Sequence, residues 1–128
     1  MPTSNFTLIN ETEAKLPPID FDALKIAALG AKYELMLIVT TPARIKKLNT
    51  IYRDIEKPTD ILSFPLSKNE GEMYISPIQT RAEAKKFDRD YENFFAFLFI
   101  HGCVHLKGYD HSSRMEAIEK KIRTKFGV

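Results

Sequence analysis

The chain has 128 residues, a formal net charge of +2, 44 % hydrophobic residues and nine Phe. That length predicts a single domain over residues 1–128 with a real core, and that composition excludes a disordered chain. A lone Cys103 excludes an internal disulfide, the polar N-terminus MPTSNFTLINETEAK has no leader pattern, and the longest apolar run, Phe94 to Ile100, is far short of the ~20 residues that span a bilayer, so a cytoplasmic protein with no membrane partner is expected.

In chain order the pattern is α+β. Phe6 to Asn10 alternates apolar and polar, as a short strand does. Pro17-Pro18 opens a helical stretch whose apolar face is Ile19, Leu24, Ala27, Ala28 and Ala31, with Gly30 near its end. Tyr33 to Thr40 (YELMLIVT) is largely apolar and reads as a central strand. Thr41 and Pro42 fit the N-cap and first turn of a second helix with Ile45, Leu48, Ile51 and Tyr52 on its core face. Asp60 to Phe64 is a third strand between Pro58 and Pro65, and Glu72 to Ser76 a fourth, after a turn at Asn69, Glu70 and Gly71. Pro77 starts a helix to about Phe87, Tyr91 to Lys107 is a long apolar helix, and Met115 to Phe126 is amphipathic. The expected architecture is one compact domain in which a small four-stranded sheet packs against about five helices.

The three histidines of the chain, His101, His105 and His111, all fall in HGCVHLKGYDH. Residues i and i+4 share a helix face, so His101 and His105 can reach one ion. Gly108 lies where a helix C-terminal turn is expected, and the chain can then bring His111 back. Three protein ligands and one open position characterise catalytic zinc, so one Zn²⁺ per chain is expected at the end of the buried helix; imidazole also suits nickel, copper and iron. The pattern resembles that of zincin proteases, except that their general-base Glu is replaced by Gly102, which disfavours peptide hydrolysis. Cys103 lies about 200° around the helix from each neighbouring histidine and is expected in the core. The Phe-rich run from Phe94 likewise reads as core and not as a base-stacking platform.

Basic residues cluster at 41–57 (Arg44, Lys46, Lys47, Arg53, Lys57) and at 114–128 (Arg114, Lys120, Lys121, Arg123, Lys125). They could bind phosphate or simply be solvated helix faces.

The segments LNTIYRDIEKPTDILSFP (48–65), GEMYIS (71–76) and HGCVHLKGYDH (101–111) together resemble the YbeY-type family of bacterial rRNA maturation endoribonucleases, in the same order and at compatible spacing. Ile61, Val104 and Glu72 depart mildly from its pattern. The resemblance implies a small mixed sheet against helices and a zinc-dependent endonuclease of single-stranded RNA. It also implies action in rRNA maturation and ribosome quality control, with rRNA and the ribosome or its proteins as partners. Its metal histidines map onto His101, His105 and His111, and its functional arginine onto Arg53.

The residues fit phosphodiester chemistry independently. An open-site dication activates water or polarises a phosphate oxygen, and an arginine fork grips phosphate bidentately. Asp110 could orient a ligand imidazole or be a turn residue, and Asp60 has the same ambiguity. The general base is open between them, as is attack by a 2′-hydroxyl or by a metal-bound water. Two other readings share the motifs: a non-catalytic ribosome-assembly factor with a structural metal, and a metal-dependent hydrolase of another substrate.

Overall fold

Alternating and fully apolar segments here build one mixed sheet with helices on both faces. The computed structural model describes residues 5–108 and 113–128. The elements run β1 (Phe6–Asn10), α1 (Phe21–Leu29), β2 (Glu34–Val39), α2 (Pro42–Arg53), β3 (Ile61–Ser67), β4 (Glu70–Ile75), α3 (Pro77–Lys86), α4 (Tyr91–Leu106) and α5 (Ser113–Phe126). The sheet order is β1-β2-β4-β3. β1, β2 and β4 are mutually parallel, and β3 is antiparallel to β4 at the edge. This is the α+β, four-stranded and five-helix domain expected from the sequence. Among the described residues no helix is long and apolar enough to cross a membrane.

The pleat sends alternate side chains to opposite faces. Leu35, Leu37, Val39, Met73 and Ile75 enter the main core with α1, α4 and α5. Ile38, Leu62 and Tyr74 meet Ile45 of α2 on the other face. β2 is covered on both sides, which is why YELMLIVT is nearly continuous in its apolarity. α4 is held hardest, with Phe95, Phe99, Ile100, Cys103 and Val104 at 0 % exposure. Each buried Phe contributes roughly 1.5–3 kcal/mol relative to an exposed one, so α4 is a rigid mount for what it carries.

Several boundaries differ from the sequence reading. α1 starts at Phe21, because Asp20 caps it by accepting from the Ala23 amide at 3.1 Å. Its buried positions are Phe21, Leu24, Lys25 and Leu29, while Ala27 and Ala31 are exposed. In α2, Ile51 and Tyr52 are 61 % and 66 % exposed. The sheet ends at β3, so the last turn of α2 overhangs its edge, and Asn49 is buried in their place. β3 continues through Pro65 to Ser67, since an edge strand tolerates a missing N–H, with a bulge between Pro65 and Ser67. The hairpin turn is Lys68–Asn69, and Gly71 lies inside β4. A Cβ at Gly71 would stand 2.5 Å from the Tyr33 hydroxyl and 3.0 Å from Leu106, so glycine is needed there for close packing.

Candidate active site

Two imidazoles project from the otherwise buried α4. The His101 and His105 rings are one turn apart on one face, 6.3 Å between centroids and inclined by 22°. Both are half-buried. His101 Nδ1 lies 2.5 Å from Oε1 of Glu119, which is on α5 and 8 % exposed. That hydrogen bond raises the His101 pKa above its ordinary value; burial opposes it, and the charges of Glu119 and Asp60 add to it. A carboxylate on Nδ1 fixes the ring orientation and leaves Nε2 as the nitrogen that could take a metal, as in carboxylate–histidine–metal arrangements.

Arg53 arrives from the opposite face of the sheet. It is the last residue of α2, which Asp54 terminates in the left-handed region at φ 56°. The following loop is tied back by Asn49, whose Nδ2 donates to the Lys57 carbonyl at 2.9 Å. The overhang that exposes Ile51 and Tyr52 thus carries Arg53 past the edge strand. Arg53, His101 and His105 line one cavity of about 90 Å³ together with Ile61, Ser63 and Gly102. Positions 53, 63, 101 and 105 therefore come together from α2, β3 and α4.

Gly102 is the floor of this arrangement. A Cβ there would stand 2.7 Å from Met73 Cε, 2.9 Å from Ile61 Cδ1 and 3.0 Å from Ser63 Oγ. The zincin general-base position thus has no free room: a side chain there would have to displace the side-chain ends of Met73, Ile61 and Ser63, because α4 packs closely on β3 and β4. Cys103 is fully buried on the core side, and burial pushes its thiol well above the ordinary range.

His111 and Asp110 lie outside the described residues, and among the described residues no three His, Cys, Asp or Glu side chains gather at metal-holding distance. The described part of the site supplies two imidazoles of matched orientation, one braced by a carboxylate, beside a guanidinium; this donor chemistry suits a borderline metal such as zinc. Asp60 is partly buried next to His101 in a larger groove, and burial, reinforced by Glu83, raises its pKa. Glu119 escaped the sequence reading. Its signal was an acid in the apolar stripe of α5, between Met115 and Ile122, which are 1 % and 8 % exposed.

Comparison with known proteins shows the family. The family model described as Endoribonuclease YbeY matches residues 12–127. Curated relatives named Endoribonuclease YbeY include one from Sulfurovum sp. (strain NBC37-1), 37 % identical over 124 residues and covering 86 % of this chain and 84 % of the relative. Another, from Heliobacterium modesticaldum, is 34 % identical over 117 residues, covering 74 % and 70 %. The solution structure of a Thermotoga maritima protein superposes with a TM-score of 0.71 at 26 % identity, covering 95 % of this chain and 89 % of that one. With a family match over nearly its whole length, the chain belongs to the endoribonuclease YbeY family.

Proposed function

We propose that this protein is a zinc-dependent, single-strand-specific endoribonuclease that acts on rRNA in the cytoplasm, in ribosome maturation and quality control. The observation that carries the reading is the convergence of Arg53 with His101 and His105 on one small cavity, in a chain of this family. His101, His105 and His111 would hold one metal ion. When bound, the metal supplies Lewis acidity toward a phosphate oxygen or a water.

The residues themselves have separable tasks. Arg53 grips the scissile phosphate and balances charge that grows on its oxygens; a fixed cation at such a point is a large catalytic contribution. Glu119 holds His101 in one tautomer and orientation. Ser63 offers a hydroxyl on the cavity wall. The proton acceptor for the attacking oxygen is not among these groups, and both 2′-hydroxyl and water attack fit.

The test is cleavage of single-stranded RNA by this protein beside His105→Ala taken through the same purification. Wild type should cut and the variant should not. Equal cutting by both would mark a contaminating nuclease and remove the catalytic reading.

A further inference from the structure

A second concavity opens beside His101. It has a volume of about 600 Å³ and lies between the end of α3, α4 and α5. His101 and Ile61 line both this groove and the small cavity that contains Arg53, so the two are adjacent. Phe87, the residue capping α3, stands at its mouth with 63 % exposure. Its ring lies against Phe94 at 5.5 Å and 17°, and Phe94 lies against Phe97 at 5.7 Å and 10°. Phe94 is 2 % exposed, so this ladder of near-parallel rings is anchored in the core and ends in solvent at the groove.

The charges of the groove select the occupant. Three carboxylates, Asp60, Glu116 and Glu119, face two cations, Lys120 and Arg123. Such a lining does not suit a phosphate, whereas a flat neutral ring suits it. Arg123 lies over the Phe97 ring at 5.1 Å, and its Nε is buried with no hydrogen-bond acceptor among the described residues. The Arg123 guanidinium lines the groove and can donate to a ring nitrogen or a carbonyl oxygen, one of which every nucleobase carries.

We infer that the groove is a subsite for one unpaired nucleobase of the RNA, next to the bond cut at the histidine cavity. The inference rests on the nuclease reading above. The base stacks against the exposed end of the Phe87 ladder and accepts a hydrogen bond from Arg123. Bases inside a duplex have both faces covered by neighbours, so only single-stranded RNA can fill the groove. The site thereby accounts for a single-strand preference without any contact that reads sequence.

The test uses nine-nucleotide RNAs carrying 2-aminopurine at successive positions, whose fluorescence falls when the base stacks on an aromatic ring. Binding and cleavage are followed on the same RNAs with wild type, Phe87→Ala, Phe87→Trp and His105→Ala. Wild type should quench the probe on binding. Phe87→Ala should lose that quenching and bind roughly tenfold to a hundredfold more weakly, the usual loss for one base–aromatic stack. Phe87→Trp should restore both, and His105→Ala should quench normally without cutting. Unchanged quenching and affinity in Phe87→Ala would overturn the subsite. Quenching by wild type without cleavage would keep the subsite and remove the nuclease; cleavage without quenching would do the reverse.

Discussion

Arg53 carries the sharpest residue-scale expectation, because it is exposed and no core packing depends on it. If it acts on phosphate, Arg53→Ala should cut the cleavage rate by on the order of 10²–10³. Metal content and Tm should stay close to wild type, and Arg53→Lys should recover only part, since an ammonium lacks the fork. A lower Tm with full activity per folded molecule would make Arg53 a structural residue. Rate and Tm measured on one preparation decide between these. Arg53, His101 and His105 were legible in the sequence because the helix repeat fixes i and i+4 on one face, and because the segment around Arg53 resembles a known family. Glu119 was not legible as a partner of His101. The two are 18 positions apart, and only the docking of α5 on α4 brings them together.

At the scale of elements, the distance between α4 and the sheet decides whether the site exists. Gly102 sets that distance. Gly102→Ala improves helix propensity by about 1 kcal/mol, but the added methyl meets three side chains, and overpacking of this kind costs roughly 1–3 kcal/mol. Packing wins or balances, so Tm should fall by up to about 8 °C, measured by thermal denaturation. Gly102→Glu, which would restore the zincin pattern, should prevent the native packing of α4 and create no peptidase. A folded Gly102→Glu protein with unchanged Tm would contradict the close packing. The sequence showed that position 102 lacks a side chain, yet gave no sign of the reason, which is the contact with Met73, Ile61 and Ser63 from two strands. The same limit explains the boundary differences. The sequence placed Thr41 as a cap by chemistry the residue carries itself; Ser76 and Asp90 cap α3 and α4 in the same way, accepting from the Gln79 and Asn93 amides. The exposure of Ile51 and Tyr52, and the passage of β3 through Pro65, depend on β3 being an edge, which no local pattern states.

At the scale of the whole molecule, one sheet edge organises the described part of the candidate site. α2 covers one face and overhangs β3, α4 presses on the other face of the same strand, and Arg53, His101 and His105 meet across it. The α+β class, the number of elements and the central place of β2 were readable from periodicity, because each element announces its buried face. The strand order was not, since pairing β2 with β4 rather than β3 is a tertiary choice. The claim that joins these scales is that the cavity at this edge is a one-metal nuclease centre. Its most direct test is to strip the purified protein with a chelator and titrate zinc back while following cleavage of single-stranded RNA. The account predicts no cleavage without metal, and a rate that climbs with added zinc and levels off at one equivalent per chain. Cleavage at full rate by the metal-free protein would contradict it.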